Sequence, residues 1–275
     1  MDESKKRSAI AAGLLTALGG GVGFLYLGKL RWAIVISMAL PLVLAIGAWT
    51  KLMFVPVGFA IVALTLLAIW LASILAATRI ARQQEPVPLR RYQRWYVYLG
   101  FYIAFSLLFN ILLENRGRLF GYETFRIPAR SMMETLMPGD YFVSNSWKFN
   151  SRMPRRGEVI VFLYPKDTSR KYVQRVIGLP GDIVQVQGGD VRVNGTLLDE
   201  PYVKPENRKG LSIGNGEFKI PAGEFFVLGD NRDNSNDSRV WGTVPVRNLY
   251  GSAEYIWFSY GTEGLRFERI GKWVR

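Results

Sequence analysis

The sequence predicts a membrane-anchored all-β protein, with apolar helices through its first 113 residues and an external antiparallel β-sheet domain after them. Three observations carry that prediction. The hydrophobic fraction is 49% and the mean hydropathy +0.09, high for a soluble chain, with the apolar residues crowded toward the N-terminus. Basic residues bracket the apolar runs instead of forming a stripe. From about Phe120 the pattern changes to short β-branched runs separated by turns.

A hydrocarbon core about 30 Å thick requires about 20 apolar residues per helix. Residues 32–49 (WAIVISMALPLVLAIGAW) meet that length, and Pro41 is tolerable within a spanning helix. Residues 54–77 are free of charge from end to end. Residues 95–113 (WYVYLGFYIAFSLLFNILL) begin with an aromatic cluster, where interfacial rings prefer to sit. Residues 10–27 are weaker, because Gly19, Gly20, Gly21 and Gly23 lower helix propensity. That stretch is either a tightly packed span or a re-entrant segment. The apolar region is far too long for a cleavable signal peptide.

Topology follows from the cations. Lys5, Lys6 and Arg7 precede the first run, Lys29 and Arg31 separate the first two, and Arg79, Arg82, Arg90, Arg91 and Arg94 fill the last gap. Loop 78–94 is short and strongly positive, hence cytoplasmic. Helix 95–113 then carries the chain outward, so residues after Glu114 lie outside, Lys51 outside, and Lys29 and Arg31 inside. The N-terminus is outside if 10–27 spans and inside if it does not. The expected organisation is a membrane module (1–94), a transmembrane helix (95–113) and an external β domain (114–275). The net charge of +13 is therefore a membrane signal. No nucleic-acid-binding signature accompanies it, and the bilayer is the expected partner.

In the outer domain, residues 159–163 (VIVFL), 172–177, 183–186, 191–193, 224–228 and 253–257 read as strands. Gly188-Gly189-Asp190 and Asn194-Gly195 are hairpin turn signals, since they accept positive φ. With no Cys and no His, thiol nucleophiles, disulfides, Cys/His zinc sites and Ser-His-Asp triads are excluded. Neither a metal nor an organic cofactor is expected.

Two polar segments stand out. IPARSMMETLMPGD (127–140) places Ser131 before two Met and between Pro128 and Pro138, which is poor turn chemistry and poor core. GDNRDNSNDSR (229–239) has no apolar side chain, yet it interrupts FFVL and V-W-G, which look buried. A charged loop clamped between core segments suggests internal Asp–Arg pairing that shapes a site.

IPARSMMETLMPGD, RRGEVIVFLYP, YVQRVIGLPGD and GDNRDNSNDSRVWG resemble the successive signature boxes of bacterial signal peptidase I. That membrane-bound serine protease family removes signal peptides from exported proteins. The resemblance covers about 125–258, and the first three hydrophobic runs exceed the family's usual anchor. It implies Ser131 as nucleophile, with its backbone N–H as an oxyanion donor. Ala129 occupies the position that normally supplies a small hydroxyl or glycine near the oxyanion hole. Ser235 matches the serine that orients the base, Asp237 and Arg239 match a structural ion pair, and Asp230 and Arg232 belong to the same loop.

The departure is Gln174. The resemblance implies a lysine there, whose neutral amine deprotonates the serine. A Gln amide hydrogen-bonds but has no comparable basicity. Lys171 is expected on the opposite strand face and Lys166 in a turn after Pro165.

A signal peptide offers an apolar helix followed by an extended small-residue segment. An enzyme for it needs a membrane-adjacent cleft with an exposed strand edge. Ile127 and Pro128 are placed to line such a cleft, and Met132 and Met133 to touch lipid or substrate. Trp257, Phe258 and Tyr260 read equally as a membrane-facing patch or as core. The expected function is signal peptidase I-type serine endopeptidase activity on exported preproteins, at the outer face of a bacterial cytoplasmic membrane. The alternative is a homologue that binds signal peptides without cleaving them, because Gln174 replaces the base. A polytopic assembly factor with an idle outer domain is opposed by the joint presence of Ser131, Ser235, Asp237 and Arg239.

Overall fold

The computed structural model describes residues 6–86, 88, 90–209 and 214–275, so Lys5 lies outside the described residues. The chain divides into two compact units, Met1–Phe120 and Gly121–Arg275.

The first unit is helical. Its elements are α1 (Ala9–Gly19), α2 (Val22–Tyr26), α3 (Leu30–Trp49), α4 (Pro56–Gln83), α5 (Trp95–Glu114) and α6 (Arg116–Phe120). Helices α3, α4 and α5 are each long and apolar enough to cross a membrane. Helix α4 starts on Pro56, which suits a first turn because its missing N–H has no helical partner there. It runs to Gln83, so the first part of the basic loop is helical.

The glycines of segment 10–27 have a specific consequence. Helix α1 ends at Gly20, which has φ +55, and α2 starts two residues later. With 11 residues, α1 rises only about 16 Å. A Cβ on Gly23 would lie 2.4 Å from Ala12 O and 1.9 Å from Thr16 Oγ1. Residues 12 and 23 would be about 16 Å apart along one straight helix, so the chain doubles back. The Ser8 N–H donates to the Tyr26 hydroxyl (3.1 Å), closing the open end of this helical hairpin. Segment 10–27 is thus two short packed helices, not one continuous span.

The second unit is antiparallel β. Its strands are β1 (Tyr122–Arg126), β2 (Asp140–Asn145), β3 (Val159–Tyr164), β4 (Asp167–Gly178), β5 (Ile183–Gln187), β6 (Asp190–Val193), β7 (Thr196–Leu197), β8 (Gly216–Lys219), β9 (Glu224–Leu228), β10 (Val244–Pro245), β11 (Leu249–Gly261) and β12 (Gly264–Leu265). The larger sheet runs β1-β2-β11-β3-β4-β9-β10, with β12 on β11, and the smaller runs β7-β6-β5-β8. A four-residue helix, α7 (Ser238–Trp241), follows the polar loop.

The VIVF run of β3 is buried on both sides, which is why it reads as continuous rather than alternating. Val159 and Val161 pack with Ile127, Met132, Phe142 and Ile256. Ile160 and Phe162 pack with Val176, Phe225, Val227 and Trp241. A further cluster joins Ile177, Phe226 and Leu228 to the smaller sheet through Val184, Val186 and Val191. Trp257 and Phe258 are half-buried against Tyr141, whereas Tyr260 is 59% exposed.

Candidate active site

Three stretches of chain meet at one cleft of about 740 Å³ in the β unit. The segment between β1 and β2 brings Ala129 and Ser131, strand β4 brings Gln174, and the loop after β9 brings Ser235. Sheet register explains the meeting. Strand β4 pairs with β9 so that Arg175 stands opposite Leu228, one residue before the polar loop begins at Gly229.

The Ser131 segment is fixed through its backbone. Asn231 donates its N–H to Ser131 O (3.0 Å) and its Nδ2 to Arg130 O (3.0 Å). A Cβ on Gly229 would stand 2.4 Å from Ser131 O and 2.2 Å from Ser235 Oγ, so only glycine permits this approach. Ser131 itself is half-buried, and Pro128 and Ala129 are exposed at the rim.

Gln174 is 2% exposed. Its Nε2 donates to Asn236 O (2.9 Å), a carbonyl that also accepts from Trp241 Nε1 (3.2 Å). Gln174 Oε1 and Ser235 Oγ are both buried without a hydrogen-bond partner among the described residues. Such atoms lose several kcal/mol of solvation unless a ligand or reacting group satisfies them. Both residues line the cleft.

Behind the cleft stands a frame of buried ion pairs. Arg239 grips Asp237 through Nε and Nη2 (both 2.8 Å), and Gly229 N–H donates to Asp237 Oδ2 (3.2 Å). Arg175 grips Asp230 through Nε (2.8 Å) and Nη2 (2.6 Å) while Nη1 donates to Gly157 O (2.7 Å). Arg232 donates Nη1 to Glu200 (2.9 Å) and makes a second contact through Nη2. The Tyr202 ring lies 3.8 Å beneath the Arg175 guanidinium. Burial, then the Glu200 charge, pushes the Tyr202 phenol above its ordinary value, so it stays a neutral donor to Glu200. Charges this buried persist only because each has a bidentate or multiple partner.

The geometry corrects three expectations. Pairing inside the polar loop is confined to Asp237–Arg239, because Asp230 and Arg232 reach outside it to Arg175 and Glu200. Met132 is 1% exposed and packs in the core while lining the cleft, so it does not reach lipid; Ile127, at 6%, also lines the cleft. Lys171 has the parity expected of the opposite strand face, yet it stands at the cleft wall. Its Nζ contacts both Glu123 oxygens (3.1 Å each) and lies 3.8 Å over the Tyr250 ring, so its donors are spent away from Ser131. Lys166 sits in the β3–β4 turn, as expected. Of the frame residues, Glu200 and Tyr202 lie outside the signature boxes, and no local motif marks them as partners of Arg232 and Arg175.

The family model described as "Signal peptidase, peptidase S26" matches residues 99–258. The chain is 35% identical over 219 residues to signal peptidase I of Pseudomonas fluorescens, covering 61% of this chain and 76% of that protein. It is 40% identical over 154 residues to signal peptidase I of Leptolyngbya laminosa, covering 52% and 72% respectively. A crystal structure of a signal peptidase I from Enterococcus faecalis V583 aligns at 30% identity with a TM-score of 0.34, covering 37% of this chain and 97% of that one. The match takes in the end of the helical unit, the Ser131 segment, β4 and the polar loop, and the chain belongs to the signal peptidase family, peptidase S26.

Proposed function

We propose that this protein is a signal peptidase I-type serine endopeptidase, which removes signal peptides from exported preproteins with Ser131 as the nucleophile. The observation that carries the proposal is the half-buried Ser131 in a cleft beside two unsatisfied polar atoms, Gln174 Oε1 and Ser235 Oγ. Ser131 Oγ attacks the scissile carbonyl carbon, the π pair moves to oxygen, and the Ser131 N–H faces the developing charge. Ala129 adds no side-chain donor, and one missing donor costs about 10²–10³ in kcat in a comparable site. Gln174 Oε1 and Ser235 Oγ, both unpaired, are acceptors that can take a hydrogen bond from the substrate or the reacting hydroxyl. Neither takes the hydroxyl proton, which passes to water in the cleft. The adduct collapses with cleavage of the C–N bond as the leaving amine takes a proton from water. A second water hydrolyses the acyl ester on Ser131, freeing the signal-peptide carboxylate and restoring the hydroxyl. Without a protein base, turnover is slow.

Substrate fits the same frame. β1 is an edge strand of the larger sheet, and its C-terminal end lines the cleft with Ile127 and Pro128. An extended small-residue segment adds to that edge through backbone hydrogen bonds. In the membrane, α3, α4 and α5 span and the α1–α2 hairpin enters and leaves from the cytoplasmic side. Arg7 and Lys29 then share that side with loop 78–94, and the β unit lies outside, as the charge rule prefers.

A second reading, capture of signal peptides without cleavage, is favoured by one observation: Gln174 is buried, its amide nitrogen spent on Asn236 O. Expression of the parent, Ser131→Ala and Gln174→Lys proteins in cells depleted of their own signal peptidase separates the two. The cleavage reading expects slow rescue by the parent, none by Ser131→Ala, and at least about 10²-fold faster processing by Gln174→Lys. No rescue by the parent, with undiminished preprotein binding, would establish capture instead.

A further inference from the structure

The helical unit lies largely outside the family match, which begins at residue 99. The chain after α4 straps onto the mouth of the α1–α2 hairpin through side-chain bonds to its carbonyls. Gln93 Nε2 donates to Tyr26 O (2.9 Å), the Tyr92 hydroxyl to Gly28 O (2.8 Å), and Gln84 Nε2 to Leu27 O (3.4 Å). Gln93 is 6% exposed and its Oε1 accepts from Arg90 N–H (2.9 Å), which fixes the strap's own turn.

This strap gathers cations that are far apart in sequence. Arg7 lies over the Tyr26 ring (4.6 Å), Lys29 and Arg31 flank the first turn of α3, Arg79 and Arg82 end α4, and Arg90, Arg91 and Arg94 lie on the strap. Lys51, at the far end of the 20-residue α3, stands about 30 Å away. Glu85 is the single carboxylate among the described residues before Trp95. None of the gathered cations pairs with a carboxylate among the described residues, and all but Arg7 are exposed. Arg90 and Arg94 are instead steadied by tyrosine hydroxyls, Arg90 Nη1 donating to Tyr92 (3.0 Å) and Arg94 Nη1 to Tyr96 (2.9 Å). A phenol spends one guanidinium donor and leaves the charge uncompensated.

The neighbouring aromatics indicate what compensates it. Trp32 (55% exposed), Trp95 (73%) and Tyr96 (49%) sit beside the cations on the outward surfaces of α3 and α5. Exposed rings of this kind settle at headgroup depth in a bilayer. We propose that this basic collar is a binding site for anionic phospholipid headgroups, with the phosphodiester oxygens taken by Arg90, Arg91 and Arg94 of the strap and by Lys29 and Arg31. The site is independent of the peptidase reading, since it involves no residue of the cleft.

The test is native mass spectrometry of the full chain in detergent, with equal phosphatidylglycerol and phosphatidylcholine added. The parent is expected to retain phosphatidylglycerol over phosphatidylcholine by at least about tenfold. Arg90→Gln/Arg91→Gln/Arg94→Gln should bring the ratio near unity, and the triple Lys variant should keep most of it. If the Gln triple fails to fold, Lys29→Gln/Arg31→Gln provides the same comparison from α3. Equal retention of the two lipids by the parent, or a preference untouched by charge removal, would overturn the proposal. So would retention of RNA that phosphatidylglycerol vesicles fail to displace, since the collar would then serve nucleic acid.

Discussion

Both units have apolar cores, but they differ in what else they bury and what they expose. In the helical unit, large apolar side chains of α4 and α5 point outward, with Leu64 at 64%, Leu75 at 68% and no buried residue in α5, while Ala12, Ala33, Ala77 and Ala81 fill the contacts together with Phe24, Leu25 and Leu27 of the hairpin. In the β unit, arginines and aspartates occupy the interior, with Arg175, Arg232 and Asp230 at 2% exposure or less. The difference follows from solvent. Lipid is as apolar as leucine, so helices gain little by hiding leucine and associate through close contacts between small residues. Water favours burial of the apolar strands, and the ion pairs inside the β unit are retained at a desolvation cost because they fix a loop. The unit with buried charge is the one with the cleft.

That contrast can be broken most forcefully at Asp230. Asp230→Ala leaves Arg175 buried with its main partner gone, and should destabilise the β unit by about 3–5 kcal/mol in urea unfolding of the full chain. The double replacement Arg175→Met/Asp230→Leu should recover most of that stability yet lose order at residues 229–239, seen as faster amide exchange there. Stability without loop order would show that the pair serves the site more than the fold.

The helical unit should respond to size, not charge. Gly23→Leu forces side-chain volume against the Ala12 carbonyl and Thr16, and should lower stability in detergent by about 1–3 kcal/mol. Leu64→Val, on an exposed helix surface, should cost under about 0.5 kcal/mol. Equal effects at the two positions would mean that the hairpin is not packed as described.

The smallest expected effect is a pH dependence in the β unit. Burial works to raise the Glu158 carboxyl, but bonds from Arg152 (2.6 and 2.9 Å) and from the Arg155 N–H outweigh it and hold the group below its ordinary 4.5. A folded value below the unfolded one gives stability that is present above about pH 4.5 and lost as pH falls through the folded value. The pair is partly solvated, so about 0.5 kcal/mol or less is at stake. Arg152→Ala should therefore lose less stability than the parent between about pH 5 and pH 3; a parallel decline would remove Glu158 from the account.

The comparison also separates what sequence reveals from what it hides. Strands with a continuous apolar run are legible: β9 matches the expected 224–228, and β3 extends 159–163 by one residue. β1 (YETFR) and β8 (GEFK) are not, because an edge strand with polar residues on its open face has no two-residue apolar period. β4 begins at Asp167, five residues before its apolar part, because its first half is an exposed hairpin arm. In segment 10–27, glycine content signals a weak span, but only three-dimensional packing selects the hairpin. The site's motif residues are readable because the Ser131 and Ser235 boxes are local. Its frame is not, since the Arg175–Asp230 and Arg232–Glu200 pairs join residues 55 and 32 positions apart, and nothing local in a sequence announces such partners.

The central claim is that the Ser131 hydroxyl breaks the peptide bond at the end of a signal peptide. The most direct measurement is the cleavage of a purified preprotein by the full-length parent and by Ser131→Ala, followed by intact mass. The account predicts a mature product released slowly by the parent at one small-residue site, and no product above the uncatalysed background from Ser131→Ala. Cleavage at the same bond and rate by both proteins would contradict it.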